Sequence, residues 1–168
     1  ARAELEGALY EIRRCDECGL LWQAHHLDAD GMQRLYEDWI SAEESLAKKT
    51  SQGEIGLFDR YAREASAIAR RLGRKPCELR VLDFGMGWGA WCRVAQAFGY
   101  QVAGFELSQR RQRHARAWGI AVIDSLEALA SYDFINCHHA LEHIPDAHAT
   151  LARLVASLAP GGLLRVSV

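Results

Sequence analysis

Two acids and three glycines stand where they could hold a ligand carrying both charge and hydroxyl groups. Residues 81–89 read Val-Leu-Asp-Phe-Gly-Met-Gly-Trp-Gly, an apolar run that ends in Asp83 and sets Gly85, Gly87 and Gly89 at alternate positions. Glycine belongs where the backbone takes positive φ, or where a ligand lies against the main chain. A helix opening after such a turn points unpaired N–H groups and the positive end of its dipole at whatever sits there. The segment is therefore expected to cradle the charged end of a nucleotide-like cofactor. Glu106 closes a second apolar run, Val102-Ala103-Gly104-Phe105, and Ser108 is placed to cap the next helix. A carboxylate at a strand end can accept two hydrogen bonds from a cis-diol at charge-assisted strength.

Further along, His138, His139, Glu142, His143 and His148 crowd one stretch. The first four are candidates for taking a proton from a substrate, and His143 is the one assigned here as base. The competing and favoured role for the same histidine is to organise its loop through hydrogen bonds. A metal reading is weak, because only positions 139 and 143 have i,i+4 spacing on a plausible helix. Cys15 and Cys18 form a Cys-x-x-Cys pair, two of the four ligands a structural zinc needs, with His25 and His26 able to complete the set. A redox role lacks the βαβ unit expected to follow such a pair. Cys77, Cys92 and Cys137 are isolated in apolar surroundings and are expected to be buried thiols, a usage that fits a reducing cytoplasm. Arg110, Arg111, Arg113 and Arg116, with His114, read as the solvated outer face of a helix, or else as a phosphate or RNA contact.

The elements that must position these groups follow from periodicity. Residues 1–30 are polar and irregular, with a strand-like patch at 9–13. A helix is expected over 31–50, with Met32, Leu35, Tyr36 and Trp39 on one face. A better one covers 54–73, where Ile55, Phe58, Ala62, Ala65, Ala69 and Leu72 recur at three- and four-residue steps before Gly73 and Pro76. Strands then read at 79–84, 101–106, 120–123, 132–137 and 163–168, with helical stretches at 89–98, 108–118, 125–130 and 146–158. This alternation predicts βαβ units, a doubly wound, mostly parallel α/β sheet with helices on both faces. Ligands belong at the carboxyl ends of such strands, where Asp83, Glu106, Asp124 and His138 all fall.

The chain of 168 residues, 49% hydrophobic and 25% charged, is ordinary for a globular domain. Its net charge of −2 makes no general case for nucleic acid or membrane partners, and no apolar run reaches the length of a membrane span. Without a signal peptide pattern, a cytoplasmic location is expected. The last residues read as a strand, so the sheet is expected to lack its final strands here.

The glycines also satisfy G-x-G-x-x-G/A, the dinucleotide fingerprint, with Glu106 at the ribose-holding distance. Asp83 argues against that reading, because an apolar residue is usual there. So does the segment Leu141-Glu142-His143-Ile144-Pro145-Asp146, followed by Pro160-Gly161-Gly162. In this combination residues 79–168 resemble the class I S-adenosylmethionine-dependent methyltransferases of the small-molecule type. The resemblance implies that Gly85, Gly87 and Gly89, with Asp83, hold the methionine end of the cofactor. It implies that Glu106 accepts the ribose hydroxyls, that Leu107 packs on the adenine, and that Asp124 or Ser125 sits near the adenine amino group. His138 would lie beside the sulfonium. Tyr10 to Leu20 resembles the second knuckle of a zinc ribbon, as in many members, with Cys15 and Cys18 as ligands and the other pair upstream. The expected organisation is a partial ribbon at 1–30, a helical lid region at 31–76 and a cofactor-binding core at 77–168. A non-catalytic binding domain and an RNA methyltransferase are the alternatives, and an NAD-dependent oxidoreductase is the least favoured.

Overall fold

The computed structural model describes residues 6, 7, 9–41, 44–47 and 54–168. A short antiparallel hairpin comes first, β1 (Ile12–Arg14) paired with β2 (Leu21–Gln23). It is followed by α1 (Ala29–Arg34), which Asp28 caps by accepting from the Gly31 N–H at 2.8 Å, and by α2 (Glu54–Leu72). Alternation then sets in: β3 (Arg80–Phe84), α3 (Ala90–Ala97), β4 (Gln101–Phe105), α4 (Gln109–Ala117), β5 (Ala121–Ile123), β6 (Tyr132–His138), α5 (Ala147–Ala156) and β7 (Leu158–Ser167). The five later strands form one all-parallel sheet in the order β5-β4-β3-β6-β7, as the pattern of the sequence predicts.

Central β3 shows why the sheet is covered on both faces. Successive side chains point to opposite sides, and here both sides are apolar. Val81 joins Ile68, Trp91, Cys92, Ala115 and Phe134 beneath α2, α3 and α4. Leu82 and Phe84 join Phe105, Ile135 and Leu154 on the α5 side. The loop after β3 leads to α3 on the first face, and the loop after β6 leads to α5 on the second. The two connections part above the carboxyl ends of β3 and β6 and open a crevice there.

Close approach fixes the glycine turn at the crevice floor. Gly85, Gly87 and Gly89 have φ of +75°, +57° and +75°. The Gly85 and Met86 N–H groups both donate to the Phe105 carbonyl, at 2.9 and 3.0 Å, which ties the turn to the end of β4. A Cβ on Gly104 of β4 would collide with the Met86 side chain, so the missing side chain is the space that Met86 fills.

Several expected elements differ. The helix foreseen over 31–50 stops early: α1 runs into a π-helical turn, Leu35–Trp39, and Ile40 is extended. Ser41 then accepts from the Glu44 N–H at 3.2 Å and starts a separate turn at 44–47, so a capping residue ends one helix and begins another. Residues 48–50 lie outside the described residues. The helix expected over 125–130 is only a 3-10 turn, Leu126–Ala128, whose neighbours Leu129 and Ala130 pack against the core of the α5 face. The last strand begins at Leu158 rather than 163. Pro160 is tolerated because it falls in the irregular stretch where the register shifts, between the Tyr132–Leu158 and Phe134–Leu163 pairs. Cys77, expected to be buried, is exposed on the 3-10 turn Pro76–Glu78, whereas Cys92 and Cys137 are buried. The apolar stripe of α2 also overruns its core, leaving Ile55 at 85% and Phe58 at 56% exposure.

Candidate functional site

The crevice holds a cavity of about 630 Å³ lined by the Gly85 and Gly87 turn, Phe84, Glu106, Leu107, His138, His139 and His143, with Leu57, Arg60 and Tyr61 of α2 as its outer wall. A second space of about 940 Å³ adjoins it past Tyr36, Leu107 and Ile144 and reaches Asp124, Gln112 and Arg116. Together they run from the glycine turn, across the end of β4, to the end of β5.

Glu106 is the fixed point. Only 7% exposed, it accepts from the Gly87 N–H through Oε2 at 2.9 Å and from the Ser108 N–H through Oε1 at 3.0 Å. Each carboxylate oxygen has two lone pairs, so these amides set the rotamer and leave acceptor capacity on both oxygens. Ser108 in turn caps α4, its Oγ accepting from the Arg111 N–H at 3.4 Å. Leu107, 56% exposed, offers an apolar surface beside it.

Asp83 takes a different place. It is buried beneath the turn and is not among the cavity's lining residues. Asn136 donates to its Oδ1 at 2.7 Å, and the Cys92 thiol donates to Oδ2 at 3.6 Å. The polar row continues across the sheet. Arg165 Nε donates to Asn136 Oδ1 at 2.9 Å, Arg165 Nη1 lies 3.0 Å from Glu64 Oε2, and the Trp91 indole donates to that same oxygen at 3.2 Å. This network joins β3, β6 and β7 to α2 and α3. Burial, with Asp83 beside it, pushes the Cys92 thiol well up from its ordinary range.

The histidines lie at the end of β6. His138 Nδ1 meets Ser167 Oγ, and its ring lies 4.2 Å from that of His139. Burial first, then the neighbouring His139, Arg165 and Arg60, lower the His138 pKa. His139 has φ +49°, the sole positive φ outside glycine among the described residues, and its Nδ1 is 3.2 Å from Glu142 Oε1. His143 lines the cavity from a 3-10 turn, Leu141–His143. Asp124 sits at the far space, paired with Arg116. Gly89 opens α3 and is buried. The structure thus gathers Gly85, Gly87, Glu106, Leu107, His138 and His143 round one cavity, with Asp124 on the adjoining one and Asp83 and Gly89 behind the turn.

Cys15 and Cys18 lie apart from this site, on the turn between β1 and β2. Gly19, at φ +74°, donates to the Cys15 carbonyl at 2.9 Å, and amides of Cys18 and Glu17 bonded to Cys15 lower its thiol pKa. Among the described residues no third His, Cys, Asp or Glu joins them in a group able to hold a metal ion, so these residues do not by themselves fit a tetrahedral zinc. The histidine stretch likewise forms no such group.

Sequence reasoning passed over Tyr36, Arg60 and Tyr61 as site residues. Leu57, Tyr61 and Glu64 recur at i, i+4 and i+7, a second face of α2 beside the apolar stripe, and that spacing was the available signal. Arg111 departs from the solvated face expected of α4, since only 14% of its side chain is exposed. Trp88 is buried, its indole donating to Ser45 Oγ at 3.2 Å and its ring edge-on to His114.

A parallel sheet with this strand order, a glycine turn and a buried strand-end acid defines an α/β protein of the nucleotide-cofactor-binding kind. The methyltransferase-domain family model matches residues 57–168, and the chain belongs to that family. A ubiquinone biosynthesis O-methyltransferase from Xanthomonas axonopodis pv. citri (strain 306) is 33% identical over 105 residues, covering 55% of this chain and 44% of that protein. One from Methylocella silvestris is 27% identical over 155 residues, covering 82% of this chain and 60% of its own length. The chain spans about half the length of the curated relatives it matches. Among solved structures, a SAM-bound amino pentose methyltransferase from Micromonospora echinaspora, involved in calicheamicin biosynthesis, aligns with TM-score 0.58 at 22% identity, over 83% of this chain and 57% of that one. A plantazolicin methyltransferase in complex with SAH aligns with TM-score 0.62 at 14% identity, over 80% and 54%. These two likenesses are of fold. No helix among the described residues is long and apolar enough to cross a membrane.

Proposed function

We propose that this chain is the cofactor-binding part of an S-adenosylmethionine-dependent methyltransferase acting on a small-molecule acceptor in the cytoplasm. The observation that carries the reading is Glu106, held by two backbone amides with acceptor capacity left on both oxygens at the cavity wall. That pair of acceptors fits the two donating hydroxyls of an adenosine ribose. Gly85 and Gly87 would lie against the amino-acid end, with the Arg60 guanidinium available to its carboxylate. Leu107 and Ile144 would pack on the adenine, Asp124 would sit near its amino group, and His138 beside the sulfonium. Asp83 and Gly89 would support the turn from behind.

When bound, the cofactor supplies a methyl group on a cationic sulfur with a neutral thioether as leaving group. The chain's own residues align the acceptor with that methyl and keep water out, and alignment alone can lower the barrier by several kcal/mol, about 7–11 at the limit. The relatives' name, O-methyltransferase, supports a hydroxyl acceptor, which must lose its proton. His143 is proposed as the group that takes it. The domain division proposed is 1–30, 31–76 and 77–168, and zinc at Cys15 and Cys18 would need ligands from beyond the described residues.

Calorimetry with S-adenosylhomocysteine and with NAD tests the reading. Binding of S-adenosylhomocysteine at micromolar concentration is expected. Binding of NAD in its place would overturn the proposal.

A further inference from the structure

Along α4, position 111 differs from its basic neighbours. Arg110, Arg113 and Arg116 are exposed, whereas the Arg111 side chain turns inward and places Nη1 3.8 Å from Glu106 Oε2. At that separation the two form an ion pair rather than a hydrogen bond, so Arg111 gives countercharge to a buried carboxylate without occupying its lone pairs. Its guanidinium carbon lies 5.5 Å from the Tyr36 ring centroid and 5.7 Å from that of Trp88. The residue beside Tyr36 grips the same helix, Glu37 Oε1 accepting from the Gln109 N–H at 2.6 Å. Tyr36 itself lines both cavities, and burial, with Glu106 close by, pushes its phenol pKa up.

We propose that Arg111 is a positioning residue that couples ribose recognition to closure of the segment 29–39 over the cleft. The guanidinium gives countercharge to the Glu106 carboxylate, whose rotamer the Gly87 and Ser108 amides set, and lies within cation–π range of the Tyr36 ring. The planar cation is the part that matters. A lysine ammonium supplies charge but does not stack in the same way. The inference rests on the S-adenosylmethionine reading, and it predicts that the segment 29–39 docks more firmly when the ribose is bound.

The experiment is calorimetry of the chain with S-adenosylhomocysteine and with its 2′-deoxyribose analogue, together with thermal midpoints of each variant. Wild type is expected to prefer the parent ligand. Arg111→Met is expected to weaken the parent about tenfold or more and the deoxy analogue much less, which compresses the ratio of the two affinities. Arg111→Lys should fall between, and Tyr36→Leu should compress the ratio in the same direction while speeding amide exchange in 29–39. A residue with only a structural role would weaken both ligands equally, and that result in Arg111→Met would overturn the proposal. If Arg111→Met does not fold, the same readout in Arg111→Lys and Tyr36→Leu decides, and an unchanged ratio in both overturns it. Failure of wild type to bind S-adenosylhomocysteine would instead sink the cofactor reading on which this one stands.

Discussion

Asp83 and Asn136 stand in register on neighbouring strands, and the Asn136 amide donates to Asp83 Oδ1 at 2.7 Å in the interior of the sheet. The pair explains how a carboxylate survives beneath the glycine turn: one oxygen has an amide donor and the other a thiol donor. Asn136→Leu removes the amide from Asp83 and the acceptor from Arg165 together. A buried group left short of a partner costs about 1–3 kcal/mol. Urea unfolding should show a loss in that range, and unchanged stability would refute this account of the network.

Gly85→Ala is expected to destabilise the fold and disturb the cavity floor. Its φ is +75°, and an added Cβ would come within 2.5 Å of the Ala140 Cβ. Strain of this kind costs on the order of 1–3 kcal/mol. Ala140→Gly in the same chain removes the collision but not the backbone strain, so the double variant should recover part of the loss in thermal unfolding. Full recovery would assign the whole effect to the collision.

Glu106→Ala should abolish measurable binding of S-adenosylhomocysteine, and Glu106→Gln should weaken it by about ten- to a hundredfold, since charge-assisted hydrogen bonds become neutral ones. Calorimetry reads both. Unchanged affinity in the alanine variant would remove Glu106 from the ribose contact.

The thiols should divide by environment. At pH 8, Cys18 and Cys77 are exposed and should react with a disulfide reagent, whereas Cys92 and Cys137 are buried and should react only on unfolding. Burial raises the Cys137 pKa to about 11 from an ordinary 9.0. Because the folded value is the higher one, its contribution to stability is complete below pH 9.0 and is lost as pH rises toward 11. Mass spectrometry of labelled peptides distinguishes the sites, and rapid native labelling of Cys92 would contradict its packing.

His138 should titrate below the ordinary histidine value of 6.5, because burial and neighbouring cations favour its neutral form. With the folded pKa depressed, its stabilising contribution is present above about pH 6.5 and falls away as pH drops through the lower folded value. An imidazole proton resonance followed by NMR gives the midpoint. A value at or above 6.5 would be inconsistent with the environment described.

Much of the core was legible because its signals are local. The apolar runs of β3 and β4, the glycines and the strand-end acids all lie within a few positions of one another. The row from Asp83 through Asn136 and Arg165 to Glu64 was not legible, since its members come from four elements and meet only when the sheet register is set. Arg111 was obscured for a related reason. A run of arginines looks uniform in sequence, and only the geometry of α4 against Glu106 separates the inward one. The early end of the helix at Trp39 was not legible, because the apolar face from Met32 to Trp39 carries no mark of where it stops, and Ser41 shows its capping role only in the bond to the Glu44 N–H.

The vacancy at Gly104 has an evolutionary consequence. Met86 occupies the volume that any side chain at position 104 would need, although the two residues belong to different segments. Their permitted sizes must therefore trade off: a homologue with alanine or serine at 104 should carry a smaller residue at 86. An alignment deep enough to score covariation should return 86 and 104 as a linked pair, and a swap of volumes between them should be tolerated where either change alone is not.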